Sequence, residues 1–165
     1  MPMDVVTNVQ VDVQMAINSV AQQRVPNAEV IQMWASAAIK QAGADQSEKQ
    51  MTVRIVDVDE ITQLNEQYRQ KTGATNVLSF PFEWPPEVPE EARDENLGDL
   101  VICAAVVEEE AEAQNKSPEA HWAHMIVHGT FHLLGYDHIT DDEAQQMEAE
   151  EVTVLNSFGY ANPYE

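Results

Sequence analysis

His128-Gly-Thr-Phe-His132-Leu-Leu-Gly135-Tyr-Asp137-His138 is the stretch on which the reading of this chain turns. Residues four apart on a helix share a face, so His128 and His132 can aim ring nitrogens at one point. Gly135 is placed to end that helix, because glycine readily takes the left-handed conformation that turns the chain back. The turn would bring His138 round as a third nitrogen. Three protein ligands leave a fourth position open, which is the pattern of a catalytic zinc site rather than of a structural one closed by four ligands. Asp137 is read as a partner that orients a ligand imidazole.

The helix around this stretch is apolar on two further sides, with Trp122, Ile126 and Leu133 on one and Val127, Phe131 and Leu134 on the other. Such a helix belongs at the centre of the fold. All five histidines of the chain lie between 121 and 138. A histidine-rich stripe on a buried helix is hard to explain by packing, since each imidazole removed from water needs a hydrogen-bond partner or a metal. His121 and His124 are assigned hydrogen-bonded or cleft-lining roles. The spacing H-x-x-x-H-x-x-G-x-x-H is shared with metzincin proteases, but those carry a glutamate general base directly after the first histidine. Here that residue is Gly129, so proteolysis loses its main support.

Outward from this helix, Ser117 and Pro118 form its cap and first turn, and Thr140-Asp-Asp-Glu143 has capping-box form for a last helix ending near Gly159. Val9, Val11, Val13 and Met15 alternate with polar residues as in a half-buried strand. Asn27 caps a helix with Val30, Ile31, Trp34, Ala38 and Ile39 on one face and Gly43 after its end. Met51, Val53 and Ile55 return to period two, Asp59 starts a helix carrying Ile61, Leu64 and Tyr68, and Thr75 to Phe80 has strand composition. Pro81 to Leu97, rich in proline and acid, reads as a surface loop. Leu100 to Cys103 suits a buried strand, followed by a helix through Val106, Val107 and Ala111. This order predicts an α+β fold with a mixed sheet of about four strands, packed helices and the metal-binding helix at its centre. The length of 165 residues suits one domain, 1–165.

A single cysteine, Cys103, excludes a disulfide framework and a cysteine-rich zinc module. The start of the chain lacks the basic and apolar pattern of a signal peptide, and no apolar run is long enough to span a membrane, so a cytoplasmic protein with no membrane partner is expected. The net charge of −21 argues against a general basic footprint for nucleic acid. The acids cluster in Glu83 to Glu95, Glu108 to Glu112 and Asp141 to Glu151, which read as solvated faces and a solvated loop. Arg54, Arg69 and Lys71 fall beside elements that could line the metal site.

The segment His128 to His138 resembles the H-G-x-x-H-L-x-G-Y-D-H signature of the YbeY family of bacterial endoribonucleases and rRNA maturation factors. Asn65 to Lys71, Thr75 to Phe82, Leu97-Gly-Asp-Leu100 and His121-Trp-Ala-His124 match further family blocks, so the likeness runs from about residue 50 to 160. Asn76 departs from it, many relatives having aspartate there. The resemblance implies a zincin-like fold and a zinc-dependent endoribonuclease directed at single-stranded RNA, acting in ribosomal RNA maturation, including the 16S rRNA 3′ end, and in ribosome quality control. It implies that His128, His132 and His138 hold one Zn²⁺ and that Arg69 is the active-site arginine. It implies as partners ribosomal RNA, the small subunit and its platform protein, and the GTPase Era. An arginine fork can hold the non-bridging oxygens of a phosphodiester while zinc polarises the phosphoryl group. Attack by water and attack by the RNA's own 2′-hydroxyl both stay open. The competing readings are a metal-dependent hydrolase of another substrate and a non-catalytic ribosome-assembly factor with a structural zinc.

Overall fold

A computed structural model describes residues 9–43, 48–89, 91, 96–136 and 140–164. Four strands, β1 (Val9–Met15), β2 (Lys49–Val56), β3 (Val77–Pro81) and β4 (Asn96–Cys103), form one sheet in the order β1-β2-β4-β3. β1, β2 and β4 run parallel and β3 lies antiparallel at one edge, so the sheet is mixed as expected. Among the described residues there are six helices: α1 (Ser19–Gln22), α2 (Ala28–Gln41), α3 (Val58–Arg69), α4 (Ala104–Ala113), α5 (Pro118–Leu133) and α6 (Asp141–Ser157).

The alternation in β2 decides which face is covered. Met51, Val53 and Ile55 are buried against one layer with Ile31, Trp34 and Ala38 of α2 and Trp122, Ile126 and Phe131 of α5. A smaller cluster of Val56, Ile61, Leu78, Val101 and Cys103 lies under α3 on the opposite face. Burying one large apolar side chain contributes roughly 1.5–3 kcal/mol, so the α2/α5 layer is the main source of stability. α5 is buried nearly all round, and among its later residues His128 and His132 are the partly exposed ones beside wholly buried neighbours. The expectation of a central histidine helix is met.

Helix starts follow the caps. Ser117 Oγ accepts from Ala120 N, Asn27 accepts from Val30 N, and Thr140 with Glu143 makes the full capping box. At α3 the cap is Asp57, which accepts from Glu60 N, and not Asp59, which sits inside the first turn. β4 begins at Asn96, earlier than its apolar run, because the pairing steps from Gln50–Asn96 to Met51–Gly98 and leaves Leu97 as a bulge. Gly98 has φ +125, and a Cβ there would lie 2.2 Å from the Phe80 carbonyl oxygen. Only glycine allows β3 to lie this close at the bulge. The described part of the Pro81 to Leu97 loop lies at the surface, and no helix among the described residues is long and apolar enough to cross a membrane.

Arg54 does not border the histidines. It forks onto Glu60, with Nε to Oε2 at 2.6 Å and Nη2 to Oε1 at 3.0 Å, on the sheet face away from α5. Arg54 belongs to β2, where its partners Met51, Val53 and Ile55 face the core and its own side chain therefore faces the other way.

Candidate metal centre

α5 ends in a Schellman turn. Gly135, at φ +98, donates to His132 O, Tyr136 N donates to Phe131 O at 3.0 Å, and the Phe131 and Tyr136 rings stack at 4.9 Å. The turn also delivers a carbonyl to the site: His132 Nδ1 donates to Tyr136 O at 3.1 Å. His128 Nδ1 donates instead to Glu151 Oε2 of α6 at 2.6 Å. With both Nδ1 atoms donating, the two Nε2 atoms carry lone pairs and face one another at 3.2 Å. Two nitrogens about 2.0–2.1 Å from a tetrahedral zinc stand at about that separation, so the donor pair fits such an ion. His138 and Asp137 lie outside the described residues.

Behind His128 the carboxylate of Glu151 is wholly buried. Its other oxygen accepts from His124 Nε2 at 3.2 Å and from the Tyr164 hydroxyl. Burial alone would raise the Glu151 carboxyl, yet these histidine and tyrosine hydrogen bonds hold it down at about 2. Burial lowers His124, so it stays neutral and donates through Nε2. His124, His128 and Glu151 place ligand atoms within 4.8 Å of one another and form a group that could hold a cation. The hydrogen bonds already engage both Glu151 oxygens, whereas the facing Nε2 pair of His128 and His132 opens on the cleft.

That cleft has a volume of about 740 Å³ and runs from His124, His128 and His132 to Arg69, Lys71, Asn76 and Ser79. Arg69 sits in the last turn of α3, beyond which Gln70 takes a left-handed conformation at φ 57 and Asn65 holds the following loop through Nδ2 to Gly73 O at 2.9 Å. The Arg69 guanidinium donates to Ser79 O and lies 5.5 Å from the centre of the Phe80 ring. Arg69 and Lys71, placed beside the site on sequence grounds, do line it. Ser79 Oγ donates to Gly129 O at 3.4 Å and ties β3 to α5.

Of the acids expected on solvated faces, Glu151 is wholly buried and Glu110 is half-buried and hydrogen-bonded inward. Glu110 Oε1 accepts from His121 Nε2 at 2.8 Å and from Asn76 Nδ2 at 3.1 Å. The amide at 76 suits that neighbour, since an aspartate would set like charges together. Glu151 and Tyr164 are the site residues that sequence reading passes over. One signal for Glu151 exists: it falls four residues after Met147 and four before Leu155, inside the buried stripe of α6.

Fold and cleft together define an α+β protein with histidines of its central helix α5 backed by a carboxylate of α6, in a cleft also lined by an arginine and a lysine. The family model for endoribonuclease YbeY matches residues 12–159. The chain is 51% identical over 156 residues to the endoribonuclease YbeY of Cellvibrio japonicus (strain Ueda107), covering 94% of this chain and 83% of that protein. It therefore belongs to the YbeY endoribonuclease family. The solution structure of TM1509 from Thermotoga maritima shares the fold with a TM-score of 0.54 at 22% identity, over 94% of this chain and 99% of that one.

Proposed function

We propose that this chain is a zinc-dependent endoribonuclease that cuts single-stranded RNA during ribosomal RNA maturation, including the 16S rRNA 3′ end, and in ribosome quality control. It works as one zincin-like unit over 1–165 in the cytoplasm. His128, His132 and His138 hold one zinc ion, and Arg69 engages the scissile phosphodiester. The observation that carries this reading is the facing Nε2 pair, 3.2 Å apart, in a cleft that Arg69 and Lys71 also line. The small ribosomal subunit, its platform protein and the GTPase Era are the partners it implies.

When bound, zinc supplies Lewis-acid polarisation of a phosphoryl oxygen and a lowered water pKa. The protein's own groups do the rest. Arg69 keeps further guanidinium N–H groups beyond the one given to Ser79 O, and these can fork onto the non-bridging oxygens and stabilise charge that grows toward the transition state. Asn65 and the left-handed Gln70 fix the start of the loop that carries Lys71, so both cations stay on the cleft that the histidines line.

The test is metal analysis of the purified chain with cleavage of matched single-stranded and duplex RNA by wild type, Arg69→Ala and His132→Ala prepared alike. One zinc per chain is expected, with cleavage confined to the single strand and reduced at least about 100-fold in both variants. Folded His132→Ala that still supports rRNA processing would assign the function to contacts and not to metal chemistry. A 2′,3′-cyclic phosphate end would identify the 2′-hydroxyl as nucleophile, and a 5′-phosphate or free 3′-phosphate without that intermediate would identify water.

A further inference from the structure

We infer that Glu151, clamped by Tyr164, is a positioning residue that fixes the tautomer and direction of His128, and that the segment following α6 thereby completes the metal centre. This rests on the metal reading of the preceding subsection. The geometry sets the role. His128 Nδ1 donates to Glu151 Oε2 at 2.6 Å, so the lone pair lies on Nε2, the atom facing His132 Nε2 in the cleft. Were the other tautomer present, Nε2 would carry a hydrogen and could bind no cation.

Glu151 is not itself among the residues that line the cleft, being wholly buried behind His128. It therefore acts through His128. Its second oxygen is engaged by Tyr164 Oη and by His124 Nε2, and the Tyr164 ring stands edge-on to His124 at 5.3 Å. Tyr164 is held in turn by the chain around it: its N–H donates to Asn162 Oδ1 at 2.8 Å, and Lys116 Nζ donates to Pro163 O at 3.3 Å. The two histidines of the facing pair are thus oriented by separate devices. His132 depends on a backbone carbonyl of the turn, and His128 depends on a carboxylate supplied by α6 and fixed from beyond its end. Carboxylates in this position also raise the basicity of the imidazole they accept from, which strengthens its hold on a metal.

The experiment compares wild type, Glu151→Gln, Glu151→Ala and Tyr164→Phe in the full chain. It measures the zinc dissociation constant by competition with a chromophoric chelator, the histidine tautomers by ¹⁵N shifts of the metal-free protein, and the thermal midpoint. Glu151→Gln should weaken zinc about 10- to 100-fold and mix the His128 tautomers, while His132 keeps its own in every variant. Tyr164→Phe should shift both readouts in the same direction by less. Lower thermal midpoints with zinc affinity and the His128 tautomer unchanged would overturn the inference and leave Glu151 a structural residue. If Glu151→Ala does not fold, the nearly isosteric Glu151→Gln and the single-hydroxyl change Tyr164→Phe decide the matter. Wild type that binds no zinc would sink the metal reading, and the His128 tautomer in metal-free protein would still decide what Glu151 does.

Discussion

Gly129 packs its bare α-carbon on the sheet: a Cβ there would lie 2.8 Å from Leu100 Cδ2 and 3.1 Å from Cδ1. Leu100 is wholly buried and cannot swing away freely. Gly129→Ala should therefore cost about 1–2 kcal/mol, the overpacking exceeding the gain of up to about 1 kcal/mol in helix propensity. Denaturant unfolding checks this, and Leu100→Ala in the same chain should make the alanine at 129 less costly or favourable. A glutamate at 129 would press into the core beside Leu100, so Gly129→Glu should lose the fold and gain no peptidase activity. The histidine spacing was legible because it repeats on one helix. Glu151 was not, because an acid in a run of acids looks solvated until its four-residue distance to Met147 and Leu155 is noticed.

Elements were legible where local chemistry decides them. Ser117, Asn27 and Thr140 start helices because each offers an oxygen to an otherwise unpaired N–H. The sequence favours Asp59 over Asp57 as the α3 cap because both are acids before the same apolar periodicity, and only the extended end of β2 selects between them. The start of β4 was hidden because a bulge breaks the period of two. The chain beyond α6 has a further tie to α5: Tyr160 Oη donates to Glu119 Oε2 at 2.7 Å, with its ring edge-on to Trp34 at 6.3 Å. Burial, with the Glu119 hydrogen bond, pushes the Tyr160 phenol up to about 12 from an ordinary 10. A raised value in the folded state means that stability is fully present below pH 10 and is lost as pH climbs through 12. The difference in unfolding free energy between wild type and Tyr160→Phe should be level up to about pH 10 and shrink toward pH 12.

For the whole molecule, 29 acidic against 8 basic side chains mean that an RNA strand entering the cleft, as the proposed function requires, does so against a repulsive body. Arg69 and Lys71 are the cations on the described cleft wall. Two phosphate contacts on a single strand give a slope of log affinity against log salt of about −1.4. Binding of single-stranded RNA to inactive His132→Ala should show a slope no steeper than about −2, and Lys71→Ala should flatten it by about 0.7. A slope near −4 would place the RNA on a basic surface outside this cleft. Composition made the acidic balance legible at once. It could not say that two cations share a cleft with the histidines, because that depends on β3 lying antiparallel at the sheet edge beside α5.

The bond from Arg69 to the Ser79 carbonyl has one more consequence. β3 is an outer strand, and the ladder bonds at Asn76 and Phe82 leave the Ser79 carbonyl pointing away from β4. Unpaired edges invite strands from other molecules to add on. Here the approaching strand meets a charged guanidinium where it needs a free acceptor, and Pro81 two residues on has no N–H to offer. The arginine that lines the cleft thus also blunts the open edge of the sheet, so Arg69 bears on the cleft and on the edge strand through one side chain.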